Sequence, residues 1–167
     1  FIDGINCNNI NVEAGTGEIE INNVNCLNKI YMVSSSNANL TLGNANALIT
    51  ESTAINGNIV YHNVNAKTTI KTGATALINK CSGEYEVTCY GNFLTIQECK
   101  FTKAIINAQK TEVSFKFVQA NYLEYNGNDS MSTLYFVFGK EMKINDLSGD
   151  LHFDNDQIII TTDEDRK

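Results

Sequence analysis

A short motif of alternating apolar and polar residues returns at intervals of about 19 residues along this chain. In one copy Ile19 and Ile21 alternate with polar residues, and the small apolar Val24 follows after two polar positions. Further copies are Leu40, Leu42 and Ala45; Ile59, Tyr61 and Val64; Ala76, Ile78 and Cys81; and Leu94, Ile96 and Cys99. A fixed repeat of this length is typical of a solenoid, in which each coil buries its apolar face by stacking on its neighbours.

The period of two within each copy predicts strands, which are bounded by Asn, Gly, Ser and Thr rather than by helix caps. We therefore predict an all-β, single-domain β-solenoid, or β-helix, of about eight short coils over residues 1–162. The acidic tail, 163–167, is predicted to be disordered. A chain of 167 residues is long enough for one such domain with a sizeable core.

Each coil is predicted to carry a second strand after a corner, followed by a polar turn. The apolar residues assigned to these second strands are Ile10, Val12, Ile30, Met32, Ile49, Ile70, Tyr85, Val87 and Ile105. The polar turns are placed at 34–36, 50–53 and 72–74.

Asparagine fills roughly one position in seven, and several asparagines fall at the predicted corners: Asn6, Asn25, Asn46 and Asn65. Stacked coils lie about 4.8 Å apart, so equivalent residues form ladders along the solenoid. Asparagine tolerates the left-handed backbone of a tight corner, and its amide hydrogen-bonds to the coils on either side. A structural ladder therefore explains the composition without a ligand.

The segment after Thr111 is less regular and rich in aromatic residues. Its first strand is predicted to carry Val113, Phe115 and Phe117. Residues 122–125 and 134–138 are interpreted as strands across a turn at 126–127. We predict that this segment forms an aromatic-rich C-terminal cap over the last open coil.

Three segments, 17–21, 34–42 and 147–153, resemble the Ser-Gly-Asp-Ile-x-Ile repeats of the bacterial adhesin β-solenoid domains, a family of largely unknown function. The middle of the chain departs from that pattern, with Ser-Asn-Ala at 36–38 and Asn-Gly-Asn at 56–58. The resemblance implies an extracytoplasmic domain behind an N-terminal membrane anchor at the bacterial cell envelope. It implies no catalytic, cofactor-binding or metal-binding residues, because none is established for the family.

The chain begins at Phe1 in mid-pattern, which we interpret as removal of a leader, anchor or further domain, or as a cloning boundary. A net charge of −7 argues against nucleic acid or anionic lipid as partners, since both require clustered Lys and Arg. No apolar run approaches the roughly 18–20 residues of a membrane span, so membrane contact is expected only through a missing anchor. A surface glycan or an envelope protein is the expected partner class, and the ligand is unknown.

Five cysteines raise the alternatives of small buried apolar residues and of disulfides between coils. Cys81 and Cys99 occupy the Val24 column, and Cys7 and Cys26 occupy equivalent corners. We favour buried thiols, because other coils place Ala or Val in these columns. The chain has no Cys-x-x-Cys pair and no His near a Cys, so a zinc site is not predicted.

Parallel β-helices include carbohydrate-active enzymes, which need facing carboxylates or calcium with a basic residue. The candidate acidic pairs, Glu18 with Glu20 and Glu84 with Glu86, are interpreted as solvated surface. His62 and His152 are expected to be exposed bystanders. A calcium site among Asp146, Asp150, Asp154 and Asp156 is not predicted, because the spacing lacks a calcium-loop pattern.

The sequence thus favours a non-enzymatic extracytoplasmic binding or scaffolding module of the adhesin type. An enzyme with an unfamiliar site and a sensory domain of a membrane-anchored protein are the alternatives. Two solenoid faces are candidates for binding by alternation alone, one carrying Tyr31, Thr69 and Glu86 and the other Glu20, Thr41 and Thr95.

Overall fold

The computed structural model describes residues 1–146 and 151–154, in which every regular element is a β-strand. In chain order the strands are Ile2–Asp3 (β1), Asn6–Ala14 (β2), Glu18–Ser34 (β3), Asn39–Ala54 (β4), Ile59–Thr72 (β5), Thr75–Asn79 (β6), Ser82–Cys89 (β7), Phe93–Gln97 (β8), Lys100–Gln109 (β9), Glu112–Asn128 (β10), Met131–Asp146 (β11) and Leu151–Asp154 (β12).

Every strand pairing among the described residues is parallel and joins one coil to the next. The predicted columns are confirmed, since the Cα partners run Ile19, Leu40, Ile59, Ala76, Leu94 and Val113. The described chain is therefore a β-solenoid of about eight coils. Its core is a continuous apolar column, and full burial of each Leu or Ile stabilises the fold by about 1.5–3 kcal/mol.

The coils bend either within one long strand, as in β3, or between two shorter strands, as at Lys80 between β6 and β7. In β3 the buried residues come in separate runs, with Ile19 and Ile21 before the first bend and Val24 and Cys26 after it. The bend is made by Asn23, whose φ of 53° is left-handed. Because this conformation interrupts the alternation, two consecutive residues point outward and the next one returns to the core.

The second strands differ from the prediction in two coils. Ile49 and Ile105 are half-buried and face outward, while Thr50 and Ile106 lie in the core. The turn predicted at 50–53 is wrong, because these residues belong to β4. The buried hydroxyl groups in this region are hydrogen-bonded in pairs, which offsets the cost of removing them from water. Thr50 bonds Thr68 at 2.8 Å and Ser52 bonds Tyr61 at 2.7 Å.

The aromatic-rich segment also differs from the prediction. Strands β10 and β11 are parallel and in register, so the aromatic residues belong to two regular coils, on which β12 stacks, and the turn predicted at 126–127 is wrong. Asn126 and Gly127 lie inside β10. Phe117 does not continue the inward face of Val113 and Phe115, because it occupies the bend and its φ is 55°.

The turns that close the coils stack as tightly as the strands. A Cβ atom on Gly57 would lie 1.9 Å from the Ala38 carbonyl oxygen, and one on Gly91 would lie 1.8 Å from that of Ala74. Only glycine therefore fits these two positions beneath the preceding coil.

Several predictions fall outside the described residues: the Ser-Gly-Asp repeat at 148–150, Asp156 and the tail at 163–167. His152 and Asp154 are described as part of β12 in backbone only. In the part of the chain that is described, no helix is long and apolar enough to cross a membrane.

Candidate functional site

One bend of the solenoid carries a column of residues that share a left-handed backbone. We call it the corner column; its φ angles lie between 47° and 55°, and its members are Asn23, Asn44, Asn63, Lys80, Glu98, Phe117 and Phe136. L-residues rarely adopt this conformation, and asparagine adopts it more readily than most. Every member projects from the coil surface, so the column forms one outward stripe along the solenoid.

The first part of the corner column is an amide ladder. The Asn44 side-chain amide donates to Asn23 over 3.2 Å, and Asn63 donates to Asn44 over 2.9 Å. Asn23 in turn donates to the Asp3 carboxylate over 2.7 Å.

The ladder predicted from sequence lies two residues further along each coil. The Asn46 amide donates to Asn25 over 3.3 Å, and Asn65 donates to Asn46 over 3.2 Å. Asn6 stands in register beside Asn25. This ladder is confirmed, but its expected left-handed backbone is wrong, because that conformation belongs to the corner column.

Beyond the amides, the corner column changes chemistry. Lys80 and Glu98 form an exposed ion pair at 3.7 Å. Phe117 and Phe136 then stack at a centroid distance of 5.4 Å, and Tyr135 packs edge-on against Phe136 at 4.5 Å. Phe117 is 53% exposed and Phe136 is 38% exposed, so ring faces remain open to solvent.

An open groove of about 520 Å³ lies beside this aromatic end. We call it the C-terminal groove; its lining residues are Lys100, Phe101, Thr102, Gln119, Ala120, Asn121, Phe138, Gly139 and Lys140. It opens where coils carry one additional residue, such as Thr102, at the register shift between β7 and β9. The side chains in one column become smaller from Phe101 to Ala120 to Gly139, which leaves space for the groove.

The described lining of the groove contains two lysines but no ion pair. We call the two outward columns that contain Lys29 and Tyr31 the outer face. On that face Lys29 pairs with Glu51 at 2.6 Å, and Lys67 pairs with Glu84 at 3.6 Å. Among the described residues, neither Lys100 nor Lys140 has a carboxylate partner, and no carboxylate lines the groove. The groove is thus a local positive site on a chain of net charge −7.

The two faces proposed from alternation lie away from the corner column. Tyr31, Thr69 and Glu86 share one outward column. On the other face, Glu20 and Thr41 are in register, and Thr95 continues the same column. On the first of these faces Lys29 lies 5.2 Å from the Tyr31 ring centroid.

The outer face also contains a carboxylate and phenol pair. The Tyr122 hydroxyl donates to the Glu124 carboxylate over 2.5 Å. This bond raises the pKa of Tyr122 to about 12 and lowers the pKa of Glu124. Both shifts mean that the phenol stays neutral and the carboxylate stays ionised over a wider range of pH.

All five cysteines are free thiols in the structure, and Cys7 is the only half-buried one among them. Cys7 stands opposite Cys26, and the Cys81 backbone N–H points at the Cys99 sulfur over 3.4 Å. A hydrogen bond from Cys99 lowers the pKa of Cys81 to about 7. Both Cys81 and Cys99 are fully enclosed by the core, which fits the packing role expected of them.

The remaining candidates from sequence do not converge. His62 is exposed and bonds only Asn79 among the described residues, at 3.2 Å. Glu20 accepts from Asn22 over 2.6 Å, and Glu84 is held by Lys67. Among the described residues no group of His, Cys, Asp and Glu is placed to hold a metal ion.

Sequence reasoning missed the aromatic end and the groove. The available signal was the repeat itself, since Phe117 and Phe136 align with Asn23, Asn44 and Asn63 rather than with core positions. The sequence matches no protein-family model, and neither a curated protein nor a solved structure is similar enough to count as a match.

Proposed function

We propose that this protein is a non-enzymatic binding or scaffolding module that engages an extended polymer along the corner column. The observation that carries the proposal is the open aromatic end, where Phe117 and Phe136 stack face to face at a bend that disfavours bulky residues. Exposed aromatic rings beside polar side chains are typical of recognition surfaces.

The shape of the corner column supports an extended rather than a compact ligand. Its members repeat at the coil spacing of about 4.8 Å, so a chain lying along the solenoid meets equivalent groups at regular steps. The amides of Asn44 and Asn63 can donate to and accept from hydroxyl groups, while the rings offer apolar faces. Sugars present both kinds of surface, which makes a glycan the favoured ligand and an envelope protein the second.

The location that we propose is extracytoplasmic, at the cell surface or behind a membrane anchor. This part of the proposal depends on the resemblance of the repeats at 17–21 and 34–42 to the adhesin domains. Fractionation of source cells with an antibody to this domain tests it, and recovery in the cytoplasmic fraction would contradict it.

Binding is tested with purified protein on isolated bacterial cell walls and on a glycan array at physiological salt. The decisive variant is the double change F117N/F136N, which removes both rings but keeps residues suited to the left-handed bend. We expect saturable binding by the parent protein and a loss of at least about tenfold in the variant. Tyr90→Asn, which removes a 61% exposed ring elsewhere, is the matched control and should bind normally.

Two results would count against the proposal. If neither walls nor glycans are bound, the glycan role fails and an envelope protein becomes the partner to seek. If the double variant binds as well as the parent, the corner column is not the contact surface.

A further inference from the structure

We infer that the C-terminal groove takes the carboxylate groups of an acidic polysaccharide, with the neighbouring rings packing against its sugar rings. The inference rests on the proposed function and gives its ligand a chemical class. It assigns charge recognition to Lys100 and Lys140 and an apolar contact to Phe138, which is 43% exposed.

The first argument is charge. Three lysines of the described chain form ion pairs, Lys29 with Glu51, Lys67 with Glu84 and Lys80 with Glu98, whereas the lining of the groove contains two lysines and no carboxylate. Lys100 and Lys140 line one groove and have no such partner among the described residues. Two unpaired ammonium groups in one groove repel each other and attract an anion.

The second argument is spacing. Lys100 lies in register beside Gln119, and Gln119 lies beside Phe138, so the groove spans three successive coils. Lys100 and Lys140 are therefore about 10 Å apart along the solenoid axis. That span is comparable with two sugar units of an extended polysaccharide, so neighbouring acidic sugars can meet both lysines.

The third argument concerns the other polar groups. Thr102, Gln119 and Asn121 also line the groove. They are neutral donors and acceptors, which suit hydroxyl groups.

The test compares polysaccharides that differ only in charge. Polygalacturonate and its fully methyl-esterified form share one backbone, and alginate and hyaluronan extend the acidic set. Affinity is measured by titration calorimetry for the parent, for the double variant K100A/K140A and for Phe138→Ala. Lys71→Ala and Phe93→Ala are exposed controls outside the groove.

We expect the parent to bind at least one acidic polysaccharide about tenfold more tightly than the methyl ester, and less tightly as salt rises. K100A/K140A should lose that preference, and Phe138→Ala should weaken binding of both forms of polygalacturonate. Both controls should match the parent. Circular dichroism melting of each variant shows whether the fold is retained.

The contrary outcomes separate this inference from the proposed function. Equal binding of acid and ester, unchanged in K100A/K140A, overturns the inference and leaves a glycan-binding role standing. Binding of neutral glycans alone has the same meaning. If no glycan of either kind binds, the inference and the glycan role both fail. Tighter binding of a single-stranded oligonucleotide, lost in K100A/K140A, overturns the inference in favour of nucleic acid.

Discussion

Phe117 and Phe136 stack with their ring planes 6° from parallel, although both have a left-handed backbone. That conformation costs an L-residue about 1–2 kcal/mol. For the two residues together the cost is about 2–4 kcal/mol. An aromatic pair adds about 0.5–1.5 kcal/mol beyond its buried area, which offsets only part of that cost. Stability alone therefore gives no reason to place exposed rings at this bend, which supports a role in recognition.

The two amide ladders predict different costs for the same substitution. Asn46→Ala removes two ladder hydrogen bonds at exposed positions, and we expect a loss of about 1 kcal/mol. Asn44→Ala removes two bonds and also forces alanine into a left-handed backbone, so it should cost about 1–2 kcal/mol more. Urea unfolding followed by circular dichroism measures both.

Asn44→Gly separates the two causes of that loss. Glycine tolerates φ of 47°, so this variant should recover the backbone part and lose only the ladder bonds. The exposed turn variant Asn56→Ala is the control, with an effect within about 0.5 kcal/mol. Equal stability of Asn44→Ala and Asn46→Ala would refute the backbone cost.

Lys80→Asn should stabilise the protein. Lys80 has a φ of 54° in the corner column, and asparagine suits that conformation and continues the ladder from Asn63. The lost ion pair with Glu98, at 3.7 Å and exposed, is worth only about 0–1 kcal/mol. We expect a net gain of about 0.5–1 kcal/mol, or a rise of about 1–4 °C in melting temperature.

Lys67→Asn is the matched control for that change. Lys67 also has an exposed ion pair, with Glu84 at 3.6 Å, but it lies in strand β5 outside the corner column. It should be neutral or slightly destabilising by scanning calorimetry. A lower melting temperature for Lys80→Asn than for Lys67→Asn would contradict the explanation.

The buried hydroxyl pair Thr50 and Thr68 should behave as one unit. Thr50→Val or Thr68→Val alone leaves one buried hydroxyl without its 2.8 Å partner and should cost about 1–3 kcal/mol. The double variant replaces both hydroxyls by methyl groups and should cost much less than the sum. Denaturant unfolding of all four proteins gives the coupling energy, and simple additivity would show that the bond is unimportant.

Tyr122 should titrate late because of Glu124. The hydrogen bond to the Glu124 carboxylate raises the pKa of Tyr122 to about 12 from an ordinary value near 10. Its contribution to stability is therefore complete below pH 10 and is lost as the pH rises towards 12, because the unfolded phenol ionises first.

Glu124→Gln removes the charged acceptor, and the Tyr122 pKa should then fall towards 10. The pKa is read from the ring carbon chemical shift of labelled tyrosine by nuclear magnetic resonance. Glu86→Gln, which removes an exposed carboxylate from the same outward column, should leave it near 12. An unchanged pKa in Glu124→Gln would show that another group sets it.

Much of the fold could be predicted because its information is local and repeated. Ile19, Leu40 and Ile59 occupy one buried column, as the period of about 19 residues predicts. The ladder at Asn25 and Asn46 follows from the same period. These features need only the alternation within a strand and the length of one coil.

The candidate site required the tertiary structure, because alternation restarts after each bend and the bend position is set by stacking on the neighbouring coils. Phe117 therefore points to solvent although it continues the spacing of Val113 and Phe115. The groove likewise depends on one additional residue, Thr102, whose effect appears only when coils are stacked in register. The sequence by itself determined a parallel β-solenoid and its core columns, whereas only the tertiary structure decided which outward side chains share a surface, since that depends on contacts between coils.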